Sequence, residues 1–255
     1  GSAGSETNVA IELVGMGSYL DYDFLNASKS INRAEKVLIR NSGDIDLSYT
    51  GNYTSSSSTA LRRGLGGVVG VRADANTTAI NDGDITIKLN DNGSGEAVNV
   101  AAGMQSVHGG KITNNQNISV TSPSSNNRIN YGMLSVEGSG TVSALYTSLI
   151  PALVNSTGAV ITMEVSNSYG MASFNSGSLT NDGRIILGNA DDTTTQYTNN
   201  IAMYANGVRA PYASLINNGY IDIYSYKSMA MQNDFGGATP IINNGTITNS
   251  NLLTL

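Results

Sequence analysis

One motif returns along this chain and constrains its fold more than any other feature: an apolar pair, then Asn-x-Gly-x, then alternating apolar residues. It first reads Leu38-Ile39-Arg40-Asn41-Ser42-Gly43-Asp44-Ile45-Asp46-Leu47. It recurs as Ile80-Asn81-Asp82-Gly83-Asp84-Ile85, Leu179-Thr180-Asn181-Asp182-Gly183-Arg184-Ile185, Leu215-Ile216-Asn217-Asn218-Gly219-Tyr220-Ile221 and Ile241-Ile242-Asn243-Asn244-Gly245-Thr246-Ile247. Two copies are imperfect: Ile112-Thr113-Asn114-Asn115-Gln116 replaces the Gly, and Leu153-Val154-Asn155-Ser156-Thr157-Gly158 carries one extra residue before it. Gly takes positive φ without a Cβ clash and Asn bonds its own local backbone, so each copy is a strand, a turn and a second strand. Between the copies lies a small residue followed by Met, at Gly103-Met104, Gly132-Met133, Gly170-Met171, Ala202-Met203 and Ala230-Met231. These Met residues alternate with small or polar neighbours, as core-filling strand residues do.

The spacing selects an architecture. Successive Gly positions, with Gln116 in place of one, lie 40, 33, 42, 25, 36 and 26 residues apart. The shortest values define a unit of about 25 residues, and the longer ones are that unit with polar insertions such as 52–59 and 189–195. A propeller or ankyrin array would hold its period. A parallel β-helix tolerates the drift because an insertion at a corner points outward without disturbing the neighbouring coils. The expected fold is all-β, a right-handed parallel β-helix of about eight to ten coils with corner-loop insertions, roughly 40–50 Å long at ~4.8 Å per coil. Ile, Leu and Val should stack as interior ladders, and Asn41, Asn81, Asn114, Asn181, Asn217 and Asn243 as an amide ladder along one corner. An antiparallel sandwich is the competing fold. Residues 21–38 fit the repeat least well and read as a short helix or a long corner loop. Residues 1–5 read as an expression scar, and 6–255 as a single β-helix segment.

Composition removes other classes. Only 13% of residues are charged, too few to cover the solvent faces of a helix bundle. With 40% hydrophobic residues and a net charge of −6, the signature of a disordered chain is missing. The 13 Lys and Arg are scattered, so nucleic acid is not an expected partner. There is no Cys, hence no disulfide or thiolate metal site, and no apolar run of the length a membrane helix needs.

The Gly-Met units and the Asn-Asn-Gly-x-Ile-x-Ile strings, from about Gly15 to Thr248, resemble the passenger domains of Gram-negative type V autotransporters. That resemblance implies a segment cut from a longer passenger, exported through the outer membrane to the cell surface or beyond, where the missing Cys eases passage. Passengers include adhesins, self-associating factors, toxins and proteases. Serine protease passengers carry Gly-Asp-Ser-Gly and a triad His. Here the nearest string is Asn92-Gly93-Ser94-Gly95-Glu96, and the sole His, His108, sits beside a Gly pair.

Glycan hydrolysis requires two or three converging carboxylates, for which Asp82, Asp84, Asp182, Asp191, Asp192 and Asp222 are available, though most sit in turn positions. Asp44, Asp84 and Arg184 fall at equivalent positions and could form a surface charge ladder. Arg209-Ala210-Pro211 resembles the Arg-x-Pro string of pectate lyases, with Ser214 near the place of the second Arg. Leu65-Gly66-Gly67-Val68-Val69-Gly70 lacks the carboxylates of a calcium loop. Aromatic placement is the remaining signal. Tyr197, Tyr204, Tyr212, Tyr220, Tyr224 and Tyr226 crowd one stretch; Tyr220, Tyr224 and Tyr226 share a parity opposite to Ile221 and Ile223, so they should face outward.

These readings converge on a surface-displayed, non-catalytic module for adhesion or self-association. Tyr204, Tyr212, Tyr220, Tyr224 and Tyr226 are its expected contact residues. The expected partners are a host-cell surface protein or glycan, or neighbouring bacteria. No catalytic residue, cofactor, metal or membrane insertion is expected. The alternatives are a β-helix polysaccharide lyase or hydrolase, and a passive stalk that presents a distal binding tip.

Overall fold

A computed structural model describes residues 13–18, 37–51, 67–74, 77–91, 100–107, 109–122, 130–136, 151–174, 177–192, 194–206, 214–234 and 240–250. They contain strands and turns, arranged as three seven-stranded sheets in which every pairing is parallel and joins a strand to its equivalent in the next coil. Sheet A comprises Leu13–Gly17, Val68–Ala73, Ala101–Val107, Asn130–Val136, Ser168–Phe174, Ile201–Asn206 and Met229–Asn233. Sheet B comprises Val37–Asn41, Thr77–Asn81, Lys111–Asn114, Ala152–Asn155, Ser178–Asn181, Ser214–Asn217 and Ile241–Asn243. Sheet C comprises Ile45–Gly51, Ile85–Asp91, Asn117–Thr121, Val160–Glu164, Arg184–Leu187, Tyr220–Ile223 and Thr246–Asn249. The chain runs A, B, C and returns to A one layer on, a right-handed parallel β-helix. An antiparallel sandwich is ruled out by this pairing.

The described residues make seven coils, spanning about 29 Å at ~4.8 Å per step. Equivalent corner Asn residues lie 40, 33, 41, 26, 36 and 26 residues apart, so most coils carry an insertion and fewer coils are made than a bare 25-residue unit would give. Of the poorly fitting segment 21–38, Val37 and Leu38 open a sheet B strand, and 21–36 lie outside the described residues.

Three interior columns build the core. Sheet A supplies Val71, Met104, Met133, Met171 and Met203 in register; sheet B supplies Ala79, Ile112, Leu153, Leu179 and Leu215; sheet C supplies Ile85, Ile118, Ile161, Ile185 and Ile221. All are at most 1% exposed. The Gly before Val71, Met104, Met133 and Met171 makes room for sheet C. A Cβ at Gly170 would lie 2.6 Å from Ile185 Cγ2 and 2.7 Å from the Ala202 carbonyl, and one at Gly70 2.6 Å from Ile85 Cγ2. Core Ile and absent Cβ are complementary shapes in different sheets, and close packing leaves no slack between them.

The B-to-C corner holds the amide ladder. Each Asn Nδ2 donates to the next coil's Oδ1, from Asn41 through Asn81, Asn114, Asn155, Asn181 and Asn217 to Asn243, at 2.7–3.0 Å. In the early coils the same Nδ2 also closes its own turn, as from Asn41 to the Gly43 carbonyl and from Asn81 to the Gly83 carbonyl. Asn155 joins the ladder despite its irregular copy. The extra residue is absorbed by Gly158 at φ +87°, and its amide reaches the Ala159 carbonyl instead.

Candidate functional site

The two faces of each sheet decide what the molecule can present. Strands of sheet B alternate buried and half-exposed residues, as in Ala152–Asn155, Ser178–Asn181 and Ser214–Asn217, so the outer face is open. Sheet C alternates in the same way in its central strands. Sheet A is buried on both sides in its second to fourth coils, where every residue of Val68–Ala73, Ala101–Val107 and Asn130–Val136 is out of solvent, and opens at its first and last strands. Its outward side chains form a second apolar cluster of Val100, Ala102, Val107, Tyr131, Leu134, Val136, Ala172 and Tyr204, with Tyr169, Phe174 and Ile201 packed against it.

This second cluster claims Tyr204, which was expected at the surface. Tyr204 is 5% exposed, its ring 4.8 Å from Tyr169, which in turn stacks at 5.5 Å on Tyr131. The Tyr204 hydroxyl donates to Asp234 Oδ2 at 2.8 Å and accepts from Asn206 Nδ2. Burial first, then the bond to Asp234, pushes its ionisation well above the usual phenol range. Tyr204 is therefore a packing residue of sheet A. Its sequence signal was the crowding of Tyr residues between Tyr197 and Tyr226, which carries no information about which of them a second cluster buries.

The other Tyr residues do not form one face. Tyr220 stands on the outer face of sheet C at 58% exposure. Its strand ends at Ile223, but the alternation continues past it: Tyr224 is half-exposed, Ser225 is buried, and Tyr226 is exposed at the C-to-A corner. Tyr226 is 37% exposed, bridges to Thr198 and carries Lys227 Nζ 5.7 Å from its ring centre. That corner is built from left-handed residues stacked on successive coils, Asn167, Asn199 and Lys227, at φ 54°, 58° and 51°. Tyr212 lies outside the described residues, as do His108, Arg209-Ala210-Pro211 and Asn92-Gly93-Ser94-Gly95-Glu96.

The carboxylates are dispersed, and their neighbours engage them. Asp82 accepts from Arg40 Nε at 2.5 Å and Asn115 Nδ2 at 2.7 Å, which together hold its carboxyl below the usual range. Asp182 accepts from Asn218 Nδ2, Asp84 from Asn117 Nδ2, and Asp222 from Arg184 Nε at 2.6 Å. Asp192 caps its own loop by accepting from Thr194 and Thr195, which drive its ionisation well below normal. Asp44, Asp84 and Arg184 do not make a charge ladder. Asn117 and Val160 stand between Asp84 and Arg184 in that column, and Arg184 turns to Asp222. Sequence reading missed a second polar ladder beside the first, in which Asn115 bridges Asp82 and Ser156 while Asn218 bridges Asp182 and Asn244. Its signal was the variable residue after each ladder Asn. Among the described residues no group of three His, Cys, Asp or Glu is placed to hold a metal.

A right-handed β-helix of this construction, with open faces on two sheets and a covered third, is a pectate lyase-like solenoid, and the family it matches supports a passenger-like domain of a bacterial surface protein. The chain belongs to the family described as the BigA third pectate lyase-like domain, which it matches over residues 5–251. No curated protein and no solved structure matches it.

Proposed function

We propose that this domain is a non-catalytic binding module, exported as part of an autotransporter passenger and displayed at the cell surface, where it mediates adhesion or self-association. The observation that supports this reading is the pair of open outer faces on sheets B and C. Both are in register over seven coils and offer extended area in place of one pocket. Such a face binds through many weak contacts that add up when many copies sit on one cell. Tyr220 and Tyr226 contribute large exposed rings with few rotatable bonds to order. Glycan cleavage is disfavoured because Asp82, Asp84, Asp182 and Asp222 each serve a separate neighbour and do not converge as an acid and base pair must.

The test is display of residues 6–255 on a non-adherent, non-aggregating bacterium, scored for attachment to host cells and for settling of the culture. A gain in either supports the module. No gain in either, with the domain shown intact at the surface, supports the stalk reading.

A further inference from the structure

We infer that the outer face of sheet B is a self-association surface whose occupant is a second copy of this chain, packed face to face with the two solenoids antiparallel. This rests on the reading of the domain as a binding module and names its partner. The sheet B face is charge-poor and reads as a mirror sequence. One column, in strict register across coils two to six, runs Ile80, Thr113, Val154, Thr180, Ile216. All five side chains are half-exposed. Val154 belongs to the fourth of seven coils. A twofold axis through it, parallel to the strands, lays Ile80 on Ile216, Thr113 on Thr180, and Val154 on itself. An isologous interface needs this property, one patch complementary to its own reversed copy.

The flanking column agrees with that alignment. It runs Thr78, Lys111, Ala152, Ser178, Ser214, and the same axis places Thr78 against Ser214, Lys111 against Ser178, and Ala152 against itself. With the solenoids parallel, every coil would meet its own copy, and the two Lys111 ammonium groups would share one layer. In the antiparallel arrangement they stand two coils, about 9.6 Å, apart along the axis. The mirror ends at coils two and six: in the outer coils the axis sets Arg40, held by Asp82, opposite exposed Ile242, so these two residues lie outside the matched face.

The area sets the strength. The matched face over coils two to six, about 19 Å long and about 15 Å wide, offers roughly 290 Å² per copy, or about 580 Å² in the pair, below the ~1,200–2,000 Å² of stable specific interfaces. The free domain should therefore be monomeric in dilute solution, and association should emerge when many copies face each other across two cell surfaces.

Charge exchange on the axis tests the proposal. Cells displaying Val154→Lys and cells displaying Val154→Glu should each lose aggregation, because like charges meet on the axis, and a mixture of the two should aggregate. Far-UV circular dichroism of the purified variants checks that both remain folded. The antiparallel alignment is read by cross-linking on mixed cells with a short bis-maleimide, since the chain has no cysteine of its own. Ile80→Cys should couple to Ile216→Cys, and Ile80→Cys should couple to itself no better than Thr162→Cys on the sheet C face. Aggregation that survives either charge variant, folded mixed variants that fail to aggregate, or Ile80→Cys homodimers as abundant as the mixed pair would overturn the proposal while leaving the module reading intact. Host-cell attachment by the wild type without any aggregation would also overturn it. Absence of both would overturn the module reading itself.

Discussion

Asn114→Asp is the sharpest probe of what holds the coils in register. Asn114 is 0% exposed. Its Nδ2 donates to the Gln116 carbonyl at 2.5 Å and to Asn155 Oδ1 at 3.0 Å, while its Oδ1 accepts from Asn81 Nδ2 at 2.9 Å. The substitution keeps the shape and the accepting oxygen and removes both donors. Stranding the buried Asn155 Oδ1 costs about 1–3 kcal/mol, and losing the second bond about 0.5–1.5 kcal/mol more. The new carboxylate faces two oxygens in a fully buried site, so its folded-state pKa rises above the unfolded value of about 3.9.

Stability should then fall as pH rises from about 4 towards 7 and recover as pH falls, because the protonated acid can donate to Asn155. A rise of about two pH units corresponds to about 2.7 kcal/mol. The expected deficit against wild type is about 3–6 kcal/mol at pH 7, narrowing to about 1–3 kcal/mol below pH 4. Urea unfolding followed by circular dichroism and Tyr fluorescence measures it; the chain has 13 Tyr and no Trp, and coincident transitions establish two-state behaviour. Asn243→Asp, at an exposed position of the same ladder, should cost under about 1 kcal/mol with little pH dependence. A deficit at Asn114 equal to that at Asn243, or one that widens on acidification, refutes the ladder as a register device.

Three further outcomes follow from the packing. Tyr131 is 0% exposed and its hydroxyl has no hydrogen-bond partner, so Tyr131→Phe should raise the urea midpoint by the equivalent of about 1–3 kcal/mol; a loss would show that the hydroxyl is satisfied. Burial raises the Tyr131 ionisation well above normal, so the wild type should lose stability as pH climbs past about 10, where the unfolded phenol ionises, and Tyr131→Phe should blunt that loss in alkaline titrations. Gly170→Ala should destabilise by about 1–3 kcal/mol through the Ile185 contact, whereas Gly43→Ala, with open space around it, should be close to neutral; equal thermal shifts would refute the Gly–Ile fit.

Most of the fold was legible because a solenoid repeats its local rules. Asn-x-Gly marks five of the seven B-to-C corners, and the alternation after it marks sheet C. The Gly residues of those five corners do not take the expected positive φ; past Gly43 they are needed because coils approach closely there, a Cβ at Gly83 lying against the Gly43 carbonyl and one at Gly219 against the Gly183 carbonyl. The Met and Ile columns follow once coils are stacked in register. The candidate site was far less legible. Strand parity placed Tyr220 outside and Ile221 inside, and its outward sense held past the strand end at Ile223 for half-exposed Tyr224 and exposed Tyr226, but it could not show that Tyr226 sits on a corner and not on the sheet C face.

The sequence by itself determined a parallel β-solenoid with an amide ladder at one corner, because a strand-turn-strand pattern repeated at a short period specifies coils that stack in register; that the coil has three sheets came from the structure. Tertiary structure alone decided that sheet A is covered on its outer side and takes in Tyr204, and that Asn155 enters the ladder through a positive-φ Gly158. It also decided that each core Gly answers an Ile from another sheet, and that Asp82 and Asp222 are held by Arg40 and Arg184. Each of these depends on residues from different strands or coils meeting in space, a distance that no local pattern encodes.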